Sequence, residues 1–250
     1  MGSSSRLAEG AVVLKIVGLV SCFREGELVQ AAIKSLAALD HTLVFDGPVE
    51  GNLDASGQPS LLPKPGQRLT IVRGGPWASD AGKRTKMIEW VRKRPWLNDP
   101  DGTWGLWLDG DELLLWGDYL RDWLLRVSEQ GDDANPVAGW PLPLVELDGT
   151  VVICMGKLLR IDLVRRYLAS SSYIELVDGS RRTVGNVPYW NVKEGPLLEH
   201  WRARPPLQGE PHLLHRPILR SKRREVERQH AAEARAFAEP EIEALLHRPA

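Results

Sequence analysis

Two periodicities alternate through the first half of this chain, and few folds accept that alternation. The run AVVLKIVGLV, residues 11–20, is apolar and β-branched with no polar face, as a strand buried on both sides requires. EGELVQAAIKSLAAL follows, with Leu28, Val29, Ala32, Ile33, Leu36 and Leu39 at helical spacing. HTLVFDG is a second short strand ending at Asp46, and a Gly/Pro-rich loop leads to a third in RLTIVRG. Asp80 is placed to cap a helix that turns Met87, Ile88 and Val91 inward and stops before Pro95. TWGLWLDGDE closes the series as a fourth strand. The alternation predicts an α/β fold with a mostly parallel central sheet flanked by helices, in which ligands sit at the carboxyl ends of the strands. Ser21 to Glu25, Asp46, and Asp109 to Glu112 fall at those ends.

Past residue 130 the signals change. VAGWPLPLVEL and VVICMGKLLRI flank Asp148-Gly149, while SSYIELV and RRTVGNV flank Asp178-Gly179. Asp-Gly suits the type I′ turn of a β-hairpin, so antiparallel hairpins are expected in this half. EGPLLEHWRARPPLQGEPHLLHRP is rich in proline and histidine and reads as loop crossing a site. From Ser221 the chain is a charged C-terminal helix interrupted at Pro240. The predicted organisation is one domain, with a leader over 1–10, a first half over 11–130, a second half over 131–220 and a helical segment over 221–250.

With 43% hydrophobic residues among 250 the chain can bury a sizeable core, and a net charge of −1 gives no overall attraction to nucleic acid. Basic residues concentrate locally: eight Arg and Lys against three Glu between Arg202 and His230 give +5. Two cysteines far apart, Cys22 and Cys154, suggest neither a disulfide framework nor a zinc site, which fits a reducing cytoplasm. No apolar stretch approaches the ~20 residues needed to cross a bilayer, and MGSSSRLAEG lacks the apolar core of a signal peptide. A soluble, cytoplasmic protein with no membrane partner is expected.

The segment WLDGDE is the chemical focus, because an apolar strand stops abruptly on three acids. Mg²⁺ and Mn²⁺ take oxygen ligands and keep water and phosphate in their shells, so one or two carboxylates on a rigid strand end suffice to hold them. Glu112 either supports that turn or opens a helix, where the dipole favours an acid.

Taken in order, VGLVSCFREGELVQAAIKSL, LVFDG, GKRTKMIEW and WLDGDE resemble the GT-A nucleotide-sugar glycosyltransferases, especially the large inverting group called family two, over roughly the first half of the chain. The resemblance implies a GT-A, Rossmann-like fold. It implies transfer of a sugar from a nucleotide-sugar donor, UDP-linked by preference, to a hydroxyl, with Mn²⁺ or Mg²⁺ offsetting charge on the leaving diphosphate. It places Asp109 toward the ribose or the metal and makes Asp111 the metal-binding catalytic acid. Asp46 accepts the ring N–H of a uracil, Glu25 borders the base, Arg84 lies near the nucleotide, and Lys83 or Lys86 reaches phosphate. A late histidine completes the metal site, His215 first and His212 or His200 behind it; imidazole suits Mn²⁺ better than Mg²⁺. Arg220, with Arg216 and Lys222, clamps the diphosphate. The base that deprotonates the acceptor falls among Glu146, Asp178, Glu194 and Glu199, with Glu199 and Asp178 foremost. Two departures stand out: Arg24 replaces a common asparagine, and the usual Glu-Asp pair is not evident.

Other classes are weighed by the same residues. A sugar nucleotidyltransferase needs a Gly-rich, Arg-bearing loop after the first strand, which SCFREGEL is not, and an Asp-x-Asp-x-Thr phosphatase fails at Leu113. Ten tryptophans, among them Trp77, Trp140, Trp190 and Trp201, offer faces for a sugar or a base, whereas Trp107 belongs to the core. The alternative function is therefore a non-catalytic, tryptophan-rich carbohydrate-binding or scaffold protein. The acceptor stays open between a hydroxymethylated base in DNA, a protein side chain and a small glycoside, and the +5 stretch is the one feature favouring DNA.

Overall fold

The first strand, β1 (Lys15–Cys22), is buried along nearly its whole length because it has a parallel neighbour on each side. In the computed structural model the described residues are 14–50, 59–99, 102–128, 139–145, 151–168, 173–183 and 210–215. Around β1 stand β2 (His41–Asp46), β3 (Leu69–Arg73) and β4 (Thr103–Asp109), in the order β3-β2-β1-β4, all parallel. Helices α1 (Leu28–Ser35) and α2 (Asp80–Arg92) make the crossovers from β1 to β2 and from β3 to β4. The chain thus steps outward from β1 to β3 and returns to the other side of β1. That reversal puts the switch point of the strand order between β1 and β4, the region near which open α/β sheets commonly bind ligands.

Beyond β4 the sheet is no longer parallel. β5 (Glu112–Leu115) follows β4 through Gly110 and Asp111, and helix α3 (Leu120–Ser128) comes next. β6 (Gly139–Val145) and β7 (Val151–Arg160) pair antiparallel, and β7 docks antiparallel on β4. The late strand β11 (His212–His215) runs parallel to β6 and antiparallel to β5, completing an eight-stranded sheet ordered β3-β2-β1-β4-β7-β6-β11-β5. The expected mostly parallel sheet is therefore mixed: four pairings are parallel and three antiparallel. For β6 and β7 the cause is local, since the few residues between Val145 and Val151 are too short for the crossover that a parallel pair needs. A second sheet of three antiparallel strands is made by β8 (Val164–Tyr167), β9 (Tyr173–Leu176) and β10 (Arg181–Thr183), and α2 packs against β8. No described helix is long and apolar enough to cross a membrane. Residues 1–10 and 221–250 lie outside the described residues.

The core runs along both faces of β1 and β4, with Val17, Leu19, Val20, Leu106, Trp107 and Leu108 at most 1% exposed. α1 buries Val29, Ala32 and Ile33, and Leu36 just beyond it presses on β1 so closely that a Cβ on Gly18 would stand 2.7 Å from Leu36 Cδ1. α2 buries Met87, Ile88 and Val91 as its spacing requires. Its cap is Ser79, whose Oγ accepts the Gly82 N–H at 2.9 Å, rather than Asp80, which lies one residue inside the helix and pairs with Arg84 at 2.9 Å. Asp is favoured in either place, so spacing alone did not separate the two.

His41 opens β2 in a nearly dry setting. Its ring stacks on Trp90 at 5.7 Å and meets the edge of Trp96 at 5.1 Å, Nε2 shares a hydrogen bond with Thr70 Oγ1 at 3.1 Å, and Nδ1 has no hydrogen-bond partner among the described residues. Burial, then the charge of Arg94, pushes its pKa below the ordinary value of a histidine. The unfolded chain then takes a proton that the folded chain refuses, so the stability His41 contributes is complete above pH 6.5 and is lost as pH falls through its lower folded value. The melting temperature is expected to fall on acidification across this window, and His41→Phe is expected to flatten that slope. A slope unchanged in His41→Phe would assign it to other groups.

Candidate active site

The carboxyl ends of β1 and β2 are tied together by a lysine. Lys83, on the buried face of α2, donates from Nζ to the carbonyl of Cys22 at 3.1 Å and to that of Gly47 at 3.0 Å. At 2% exposure it is a fastener between two strand ends, so the expected reach toward phosphate is corrected. Desolvation lowers its pKa, which is the cost of using a charged side chain this way. Lys86 pairs with Glu89 at 2.8 Å on an exposed face.

A cleft of ≈ 420 Å³ opens where β1, β2 and β3 end, lined by Phe23, Arg24, Asp46, Pro48, Ser60 and Arg73 among others. Asp46 therefore lines a cavity of ligand size together with two arginines, Arg24 and Arg73. Arg24 adopts a left-handed backbone, φ 58°, a strained state for a non-glycine residue that bends the β1 loop around the cleft. Glu25 sits in the same loop, its N–H donating to Ser60 Oγ at 3.2 Å.

The same loop abuts the acidic turn. A Cβ on Gly110 would stand 2.6 Å from Glu25 Cγ and 3.1 Å from Cys22 Cβ, so only glycine lets the β4–β5 turn lie against the β1 loop. Cleft and turn are thus two sides of residues 22–25.

Within the turn the three acids have different surroundings. Asp109 is half exposed, and its two oxygens face two cations: Arg84 Nη2 at 3.5 Å and Lys157 Nζ at 3.2 Å. Burial would raise its pKa, but Lys157 and then Arg84 outweigh that and hold it well below the usual carboxylate range. Glu112 is only 6% exposed at its side chain; it accepts the Asp109 N–H at 2.9 Å and Lys157 at 2.6 Å, and burial nevertheless pushes its pKa up. It begins strand β5, so the alternative of a helix start is corrected. Asp111 is 8% exposed and faces His215, with Nε2 and Oδ2 3.6 Å apart.

His215 reaches that position because β11 pairs antiparallel with β5, which sets His215 opposite Glu112 in the register. His212, at the other end of the same strand, bonds through Nδ1 to the Glu210 carbonyl at 2.8 Å. Arg84 lies over Trp107, 5.1 Å from its ring, and near Tyr167 at 5.9 Å, so the core itself aims the guanidinium at Asp109. Asp178 sits in the exposed β9–β10 turn of the small sheet, where Oδ1 accepts the Ser180 N–H at 2.8 Å, and is not on the sheet that carries the acidic turn. Glu146, Glu194, Glu199, His200, Arg216, Arg220 and Lys222 lie outside the described residues.

Sequence reasoning missed Lys157. Nothing in VVICMGKLLRI marks a single lysine within an apolar strand as a partner of acids some 45 residues away. The available signal was the cost of burying a lone ammonium, which demands a carboxylate nearby.

No family model matches the chain, and no curated protein matches it. Among solved structures it is similar to S. aureus TarS, at 12% identity and a TM-score of 0.36, over 60% of this chain. The match spans only 29% of the TarS chain. At that identity and score the likeness assigns neither family nor activity.

The expected metal site can be tested on its donor atoms. Among the described residues no group of three or more His, Cys, Asp or Glu side chains could hold a metal ion. Asp109 is engaged by two cations instead, which leaves Asp111 and His215 as a two-residue set. One carboxylate and one imidazole fit a divalent ion that completes its shell with phosphate oxygens and water, the habit of Mg²⁺ and Mn²⁺ at nucleotides.

Proposed function

We propose that this protein is a divalent-metal-dependent glycosyltransferase of GT-A type, moving a sugar from a nucleotide-sugar donor to a hydroxyl acceptor. The observation that carries the reading is the meeting of Asp111 with His215 at 3.6 Å beside the β1 loop whose other side forms the ligand-sized cleft. A nucleoside in that cleft would set Asp46 against the base and direct its diphosphate over the β1 loop toward Asp111 and His215. These two residues would hold Mn²⁺ or Mg²⁺, which supplies Lewis-acid neutralisation of the departing diphosphate. Asp109, held by Arg84 and Lys157, would accept from a ribose hydroxyl, and Arg24 and Arg73, which line the cleft, would add positive charge there.

The buried tryptophans offer nothing to a pure carbohydrate-binding module; Trp96 and Trp116 are exposed, and Trp190 and Trp201 lie outside the described residues. Trp104, Trp107, Trp123 and Trp140 are buried, and Trp77 stacks on Phe45 at 5.2 Å, so these rings are spent on packing rather than offered to a sugar. The Trp140 expectation is corrected accordingly. Acceptor identity rests on residues outside the described set, including the basic stretch that favours DNA.

A panel of nucleotide sugars with Mn²⁺, scored for released nucleoside diphosphate, tests the activity; no release from any donor would overturn it. His215→Ala is expected to raise the Mn²⁺ concentration for half-maximal turnover by roughly tenfold or more, the usual size of losing a ligand or its immediate support. His212→Ala is expected to leave the titration in place, because its ring is turned to the Glu210 carbonyl. Equal titrations for the two variants would remove His215 from the site.

A further inference from the structure

At the ends of β2 and β3 a carboxylate and a guanidinium stand side by side. Asp46 and Arg73 are register partners of the parallel β2–β3 pair, so their side chains leave the same face of the sheet on strands about 4.8 Å apart. Both line the cleft of ≈ 420 Å³, to which Phe23 adds an aromatic ring. Within the fold Asp46 Oδ1 is met by the thiol of Cys22 at 3.7 Å, a weak donor that leaves the carboxylate room for stronger ones.

We propose that this cleft reads guanine, in place of the uracil that the sequence resemblance implies, so that the donor is a guanosine diphosphate sugar. The inference rests on the glycosyltransferase reading above for there being a nucleotide donor at all. Donors and acceptors decide between the bases. Guanine carries two adjacent donors, N1–H and the N2 amino group, and next to them two acceptors, O6 and N7. A carboxylate accepts two parallel N–H groups, and a guanidinium fork donates to O6 and N7 together, the commonest specific contact made to a base. Asp46 and Arg73, side by side, satisfy both pairs. Uracil has a single N–H between two carbonyls, so one oxygen of Asp46 receives nothing from the base. Adenine and cytosine bring to the carboxylate a ring nitrogen that is itself an acceptor. Phe23 offers its face to any of the four bases and does not discriminate among them.

The test is equilibrium binding of nucleoside diphosphates to the full chain, with Mn²⁺ present, by isothermal titration calorimetry. Wild type is expected to bind GDP about tenfold or more tightly than UDP, ADP or CDP, the usual size of one bidentate base contact. Two analogues probe the atoms without altering the protein. Inosine diphosphate lacks the N2 amino group and 7-deaza-GDP lacks the N7 acceptor, and each is expected to bind about tenfold less tightly than GDP, as loss of a hydrogen bond to a charged group costs. Asp46→Ala is expected to erase the preference for GDP over inosine diphosphate, and Arg73→Met the preference for GDP over 7-deaza-GDP, each variant keeping the other preference. The analogue series on wild type stands even if Asp46→Ala does not fold. UDP, ADP or CDP binding as tightly as GDP, or either analogue doing so, would overturn the guanine assignment and leave the glycosyltransferase reading in place. Binding of none of the four nucleotides would instead overturn the glycosyltransferase reading itself.

Discussion

Asp111→Asn is expected to lower metal-stimulated donor cleavage by roughly two to three orders of magnitude, since a metal at a leaving phosphate supplies several kcal/mol of charge stabilisation. The amide keeps the shape of the side chain and can still meet His215 Nε2, 3.6 Å from the present Oδ2. It removes the one carboxylate of the turn that no lysine or arginine engages among the described contacts. Because the amide keeps the size and polarity of a side chain that is 8% exposed, the metal-free melting temperature is expected to change little. Turnover at saturating Mn²⁺ and thermal melts on the same preparations separate the two effects. Wild-type turnover in Asp111→Asn would sink the metal assignment, whereas a large drop in melting temperature would mean that the acid serves the fold.

Trp107→Ala is expected to be the most damaging single change to stability. The side chain is 1% exposed in the middle of β4, and truncating a buried tryptophan costs about 3–5 kcal/mol, or a melting temperature lower by roughly 10 °C in a chain of this size. The same ring supports Arg84 at 5.1 Å and meets Tyr167 edge-on at 5.4 Å. Its loss therefore also loosens the cation that faces Asp109, and donor binding should weaken in whatever fraction remains folded. Trp116→Ala is the comparison: that residue is 37% exposed, and a change of less than about 1 kcal/mol is expected. Denaturant melts of the two variants check the contrast. Similar shifts would mean that the β4 core does not carry the fold as its burial implies.

The elements of the first half were legible because each obeys one periodicity and one kind of punctuation. β1, β2, β3, α2 and β4 follow from apolar runs bounded by glycine, proline and acids, and the strand ends so defined put Asp46 and the Asp109–Glu112 turn at the carboxyl edge of the sheet. The Asp-Gly at 178–179 likewise marked its hairpin, with Gly179 at φ +83°. What those local signals could not carry was partnership. The sequence of α2 shows Lys83, Arg84 and Lys86 as one basic face, yet the fold sends the first to two carbonyls, the second to Asp109 and the third to Glu89.

By itself the sequence determined which residues form strands and helices and which acids end up at the strand ends, because hydrophobic spacing and turn chemistry act between near neighbours. Only the tertiary structure decided that β7 and β11 insert on the far side of β4, bringing Lys157 to Asp109 and Glu112 and His215 to Asp111. Strand order and register are set by the global fit of buried faces, and the burial of a lysine is favourable only where distant carboxylates arrive to meet it. Those are energies between elements, and no short window of sequence contains them.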